Sequence, residues 1–222
     1  MSGSANLSNV LRIDMVSDVV CPWCSIGYQR LQAALRSFPE LKVELNFQPF
    51  ELNPLMPAEG QNVNEHIAEK YGADDATIEQ NRVRLRAQGK AEGVTFKMDS
   101  EARIYNTFLA HKLLHKAEEL GTQEALKLAL MEAYFAHRRN VSSPEVLADI
   151  ASAHGFSQEL VAETLADEDL SQQVRATQDQ YKAMGISAVP TFIFNQQYTV
   201  SGAHEAATLV NVIKDITSEP AK

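Results

Sequence analysis

Two short stretches near the start of the chain alternate apolar and polar positions. Leu11, Ile13 and Met15 alternate with Arg12 and Asp14, and Val16 extends the run. This predicts a strand over 11–16, ended by Ser17 and Asp18. Leu41, Val43, Leu45 and Phe47 alternate with Lys42, Glu44, Asn46 and Gln48, which predicts a second strand over 41–50. Between them Ile26, Arg30, Leu31, Ala34 and Leu35 recur at helical spacing, and Pro39 stops this helix after Phe38. Strand, helix and strand in such close succession make a βαβ unit, hence a parallel pair with a crossover.

The stretch 49–57 contains Pro49, Pro54 and Pro57 and reads as a loop. From Asn64 the period becomes helical, with helices predicted over 64–71, 75–89, 100–119, 122–138, 144–154, 158–166 and 169–184. Gly121 ends one helix and Thr122 caps the next, Ser143-Pro144 is an N-cap followed by Pro at N1, and Gly155 and Gly185 are end signals. After Gly185 the segment 188–194 is β-rich. Asn195-Gln196-Gln197 turns without the favoured Asn-Gly pair, 198–201 returns, and a last helix runs over 204–216. The order is β-α-β, a helical block, then α-β-β-α. The fold class is α/β: a thioredoxin-like fold with a large all-helical insertion. The thioredoxin-like domain is discontinuous, 11–55 and 171–217, and the insertion spans 56–170.

Composition adds exclusions. The 222 residues are 45% hydrophobic and 22% charged, as in an ordinary globular chain, so a core of normal size can be buried. The net charge of -9 argues against a nucleic-acid partner and against an anionic membrane surface. No apolar run has membrane-spanning length. Residues 1–9 are polar and expected to be loose, and Met1 to Asn6 lack the charged and apolar parts of a secretory signal. The expected location is therefore cytoplasmic, unless a leader has been removed.

The chemistry lies in Cys21-Pro22-Trp23-Cys24, which holds both cysteines of the chain. A Cys-x-x-Cys between a strand and a helix is a redox signature. The first cysteine sits at the helix N-terminus, where unpaired N–H groups favour an anion, here the thiolate. Pro22 fits the first turn because its missing N–H has no partner to lose. No cysteine is left for a structural disulfide, which agrees with a reducing compartment and a resting dithiol. A zinc site would need four ligands, and no second Cys pair exists. Two inert buried cysteines are a further alternative, opposed by the Pro-Trp between them and the helix behind. His111 and His115 share a helix face, but Lys112 stands where a zinc helix carries Glu; a polar face is the better reading, and no metal is expected. Asp18 either opposes the Cys21 thiolate by repulsion or ends the strand, the second being favoured. Arg82 to Arg86 is a short basic run, read as a solvated helix face that an anion such as glutathione can use. Trp23 should be partly exposed, where it can touch substrates.

Three stretches together carry a family resemblance: Asp18-Val19-Val20-Cys21-Pro22-Trp23-Cys24-Ser25-Ile26-Gly27, Asn106 to Leu113, and Gly185-Ile186-Ser187-Ala188-Val189-Pro190-Thr191-Phe192. The chain resembles DsbA-like oxidoreductases of the thioredoxin superfamily, over roughly 11–215. Within them it is similar to the cytoplasmic FrnE-like branch, grouped with 2-hydroxychromene-2-carboxylate isomerases and kappa-class glutathione transferases. One departure is Ala188, where the family often has Gly. The resemblance implies a protein-disulfide oxidoreductase in which Cys21 is the nucleophile and Cys24 resolves the mixed disulfide. It implies a cis Val189–Pro190 bond beside the cysteines, with the backbone of Val189 turned toward a substrate. Pro190 thereby joins Cys21 and Cys24 in the catalytic set. Pro22, Trp23, Val189, Thr191, Asn53, Asn106 and His111 are the expected substrate contacts. No cofactor is required. Glutathione is a candidate co-substrate, the substrate is a thiol- or disulfide-containing protein or small molecule, and a homodimer is a candidate assembly. The alternative is a glutathione-dependent isomerase or transferase, in which a serine usually holds the place of Cys21.

Overall fold

Strand β1 (Val10–Ser17) and strand β2 (Lys42–Pro49) pair in parallel, from Val10 opposite Lys42 to Ser17 opposite Pro49. Helix α1 (Pro22–Leu35) makes the crossover between them. A computed structural model describes residues 10–218; the loose segment and missing leader expected over 1–9 lie outside the described residues. β1 is buried on both faces. Its polar residue Asp14 is held there by Arg12 Nε at 3.0 Å and Gln48 Nε2 at 3.1 Å.

The block after β2 is helical with one exception. It runs β3 (Gln61–Asn62), α2 (Val63–Tyr71), α3 (Asp75–Ala91), β4 (Arg103–Ile104), α4 (Phe108–Glu119), α5 (Gln123–Phe135), α6 (Pro144–Ser152), α7 (Gln158–Ala166) and α8 (Glu168–Ala183). The helix expected over 100–119 therefore begins only at Phe108, and 103–104 pairs antiparallel with β3. Two asparagines explain the difference. Asn62 Nδ2 donates to Ser100 O at 2.7 Å, and Asn106 Oδ1 accepts from Phe108 N at 2.9 Å. Side-chain bonds of this kind compete with the helix ladder. The helix expected to reach 138 stops at Phe135, and Arg138 takes a left-handed φ of 54°.

Strands β5 (Thr191–Phe194) and β6 (Tyr198–Ser201) finish the sheet, and helix α9 (Ala206–Ser218) packs on α1. The strand order is β2-β1-β5-β6, with β5 antiparallel to both neighbours. The strand expected from Ala188 starts at Thr191, whose Oγ1 bonds back to Ala188 O at 2.8 Å; the Val189–Pro190 bond before it is cis. Asn195 and Gln196 have φ of 49° and 58°, the two positive values a type I′ turn needs, so Gln stands where Gly is favoured. Among the described residues, left-handed φ outside glycine is confined to these two and Arg138. Ala188 is not one of them, so the family's glycine is not required here.

The lobe is fastened to the sheet by side chains that replace a neighbouring strand. β2 is an edge strand. The buried Gln123 amide accepts from Phe47 N at 2.8 Å and donates to Phe47 O at 3.0 Å, covering that edge. Gln178 Oε1 likewise accepts from Glu51 N at 3.0 Å. Two apolar cores meet along α5. Met131 and Phe135 pack with Ile13, Met15, Phe47 and Phe192 of the sheet, and Leu126 and Leu130 pack in the lobe with Leu113 and Leu147. Val19 and Val20, just before Cys21, belong to the lobe core. The turn that carries the cysteines is thus gripped from both sides.

Candidate functional site

Cys21 is the N-cap of α1, in extended conformation with φ −89° and ψ 110°, and Pro22 opens the helix. Its Sγ accepts the Cys24 N–H at 3.2 Å and lies 3.6 Å from Val189 O, to which the thiol donates. Both cysteines are free thiols. Cys21 is 3% exposed and Cys24 is not exposed at all, so Cys21 is the outer of two buried sulfurs rather than an open one. Burial, and then the adjoining Cys21, push the Cys24 thiol well above its ordinary range. The inner cysteine therefore holds its proton until something takes it.

Three ionisable side chains, Asp18, His111 and Lys127, are buried in this part of the fold. Asp18 is fully buried; its Oδ2 accepts from Leu52 N at 2.8 Å, and its backbone carbonyl accepts the Cys21 N–H at 3.3 Å. His111 Nε2 is 3.4 Å from Asp18 Oδ1, within ion-pair reach but too long for a hydrogen bond. Burial alone would raise the Asp18 carboxyl. The attraction of His111, the Leu52 N–H and the charge of Lys127 outweigh it and hold the carboxyl below its ordinary value. Asp18 is therefore more than the end of β1: it is a buried anion that ties the cysteine turn to the following loop. Lys127, from α5, is also fully buried, with its Nζ 5.8 Å from the centre of the Phe47 ring. Sequence reading missed it. Its only signal is a lysine among Leu126, Leu128 and Leu130 on a helix that joins two cores.

The remaining expected residues divide. Pro22 and Asn53 line a cavity of about 240 Å³ that opens beside the cysteine turn, with apolar walls including Val20, Leu85 and Tyr134. Lys70, Arg82, Lys97, Arg103 and Arg138 reach this cavity against one carboxylate, Glu101. That local excess of cations stands out in a chain of net charge -9. Asn53 Oδ1 accepts from Lys70 Nζ at 2.8 Å. Trp23 and Val189 are half-buried at the sulfurs' edge.

Three expected contacts are placed elsewhere. Thr191 is 2% exposed, and its hydroxyl is occupied by Ala188 O and Ser201 Oγ. Asn106 donates to Met56 O at 3.1 Å, binding the proline loop to the start of α4. His111 is 2% exposed and faces Asp18, not the cavity and not His115. Arg82, read as part of a solvated face, is buried and bonded to Asn64 and Glu79. Among the described residues no three His, Cys, Asp or Glu side chains gather around a point that could hold a metal ion. No helix among them is long and apolar enough to cross a membrane.

Known proteins share this fold. The crystal structure of the "probable DsbA oxidoreductase SCO1869" from Streptomyces coelicolor is 32% identical and superposes with a TM-score of 0.89, over 96% of this chain and 92% of that one. The uncharacterized protein YwbO of Bacillus subtilis (strain 168) is 25% identical over 82% of this chain and 86% of its own. A 2-hydroxychromene-2-carboxylate isomerase structure is 11% identical with a TM-score of 0.68, over 93% of this chain and 96% of that one, a likeness of fold alone. The family model of the DSBA-like thioredoxin domain matches residues 12–214. With nearly its whole length matched, this chain belongs to the DSBA-like thioredoxin domain family.

Proposed function

We propose that the protein is a thiol–disulfide oxidoreductase whose redox pair is Cys21 and Cys24. The observation that carries this reading is the bond from Cys24 N–H to Cys21 Sγ at 3.2 Å, at the first turn of α1. A helix N-terminus offers its donors to a sulfur that bears charge during reaction. The Cys21 thiolate attacks one sulfur of a substrate disulfide, forms a mixed disulfide and releases the other substrate sulfur as a thiolate. Cys24 then attacks Cys21 Sγ and releases the second substrate thiolate. Two electrons pass to the substrate and the pair is left as a disulfide; the reverse sequence oxidises a dithiol.

Val189 O, which holds the Cys21 thiol at 3.6 Å, sits where an extended substrate backbone can pair once the sulfur is engaged. Trp23 and Pro22 flank the same approach. Having both cysteines in the site and none in a structural bridge is the usage of a reducing compartment, so we place the activity in the cytoplasm. The test is reduction of the insulin disulfides by the protein and by Cys21→Ser. Activity confined to the parent chain supports the reading, and equal activity in both sinks the nucleophile assignment.

A second reading, a glutathione-dependent isomerase or transferase, is favoured by the cation-rimmed apolar cavity beside Pro22. It needs glutathione to bind. Titration calorimetry that shows no heat with reduced glutathione removes it.

A further inference from the structure

Two residues on one side of α1 meet the segments that follow Cys21's acceptor, Val189. Gly27 and Arg30 are three positions apart and so share a helix face. At Gly27 the helix runs so close that a Cβ there would lie 2.9 Å from Pro190 Cγ and 3.4 Å from Ala203 Cβ. One turn further on, Arg30 is buried, and each of its three guanidinium nitrogens has a partner. Nη1 donates to Ala203 O at 2.8 Å, Nε meets Glu92 Oε1 at 2.7 Å, and Nη2 meets Glu205 Oε1 at 2.7 Å.

These partners come from separate parts of the chain. Glu92 is the C-cap of α3, in the lobe, while Ala203 and Glu205 lie between β6 and α9. The same connection carries the next link. Gly202 N–H donates to Pro190 O at 2.7 Å, which extends the β5–β6 pairing one bond beyond Thr191 and Ser201. Pro190 follows Val189, whose carbonyl accepts the Cys21 thiol at 3.6 Å. Arg30, Ala203, Gly202, Pro190 and Val189 thus form a run of bonds from the middle of α1 back to the sulfur at its start. A buried ion pair adds little stability over an apolar side chain of similar volume. Removing this one also strands no buried acid, since Glu92 is half-buried and Glu205 exposed. What a guanidinium supplies that an apolar side chain does not is a planar fork of fixed donor directions. Here that fork sets three segments relative to one another.

We propose that Arg30 is a positioning residue for extended substrates: through Ala203 and Gly202 it holds the Val189–Pro190 backbone at the place where a substrate strand pairs while its disulfide meets Cys21. This role rests on the redox reading above and on the substrate contact of Val189. Arg30 touches neither sulfur, so its effect must divide by substrate class. A peptide disulfide uses the sulfur and the Val189 backbone together. A small disulfide without amide groups uses the sulfurs alone.

The experiment mixes reduced full-length protein with excess substrate, quenches with acid at timed intervals, and follows formation of the Cys21–Cys24 disulfide by mass. The substrates are an extended disulfide-bonded peptide and 2-hydroxyethyl disulfide. Rates over a range of concentrations give a half-saturating concentration and a limiting rate for the peptide. In Arg30→Met we expect the half-saturating concentration for the peptide to rise about tenfold, the worth of one backbone hydrogen bond. The limiting rate with the peptide and the rate with 2-hydroxyethyl disulfide should stay within about twofold of the parent. Arg30→Lys, which keeps the charge without the fork, should recover part of the loss. Equal slowing with both substrates in Arg30→Met overturns the proposal, because it marks general damage to the helix; so does a peptide half-saturation at the parent value. Should Arg30→Met fail to fold, Arg30→Lys is judged by the same two numbers. Should that fail as well, Glu205→Gln releases one arm of the fork at an exposed position: a peptide-specific rise supports the proposal, and no rise overturns it. If the parent reduces neither substrate, the redox reading itself falls. If the parent reduces 2-hydroxyethyl disulfide but shows no saturation with the peptide, or if the variants match the parent with both, the positioning role alone falls.

Discussion

Gly27→Ala sets two opposed effects against each other on the helix that carries the cysteines. Gly27 lies inside α1 and is buried. Replacing Gly by Ala in a helix interior gains about 1 kcal/mol from backbone propensity. Here, however, the added Cβ would lie 2.9 Å from Pro190 Cγ, 3.3 Å from Phe192 Cζ and 3.4 Å from Ala203 Cβ. A proline ring carbon and the tip of a fully buried Phe cannot swing aside as a flexible side-chain end does. Overpacking of this kind costs about 1–3 kcal/mol. The clash wins, and we expect a net loss of about 1 kcal/mol, or roughly 2–4 °C in Tm for a chain of this length. Pro190 is bonded to Val189, whose carbonyl holds the Cys21 thiol at 3.6 Å, so disulfide exchange should fall as well. Thermal melting by circular dichroism reads the first effect, and exchange with a fluorescent dithiol substrate reads the second. Gln29→Ala, on the same helix, is the propensity control. A rise in Tm with exchange intact would show that the helix and Pro190 do not touch as described.

Two further tests address the fold and the buried charges. Gln123→Ala leaves the Phe47 N–H and C=O unpaired at a covered sheet edge, and each orphan costs about 1–3 kcal/mol. Urea unfolding should show a loss of about 2–4 kcal/mol on that account, and a loss under about 0.5 would refute the edge role of Gln123. Asp18 has its carboxyl held below the ordinary value of 3.8 in the folded chain. A depressed carboxyl stabilises the fold above the unfolded value, and that share is lost as pH falls through the folded one. The stability gap between the parent and Asp18→Asn should hold steady at neutral pH and shrink below about pH 4. A gap that is unchanged at the lowest pH where both chains fold contradicts a charged Asp18.

The parts of this fold with a local signal were legible. β1, α1 and β2 follow from two alternating runs around a helical one. Some lobe helices follow from caps such as Ser143, whose hydroxyl accepts the N–H of Val146. The cysteine pair announced itself by spacing. What stayed hidden depends on partners far along the chain. Residues 103–104 look helical until Asn62 and Asn106 spend their side chains on the backbone there. Thr191 and Asn106 sit in motifs that suggest contact with substrate, yet their polar atoms are bonded inside the protein. Lys127 has no periodic or motif signal at all. Only the packing of α5 against β2 reveals that a lysine on a leucine-rich helix is fully buried, beside the Phe47 ring.

The central claim is that Cys21 is the sulfur that meets the substrate and Cys24 the one that releases it. The most direct measurement is to trap the intermediate: incubate Cys24→Ser with a disulfide-bonded peptide, digest without reductant, and locate the adduct by mass spectrometry. The account predicts a stable mixed disulfide on Cys21, and none in Cys21→Ser. An adduct carried by Cys24 in Cys21→Ser, with none on Cys21 in Cys24→Ser, would contradict it.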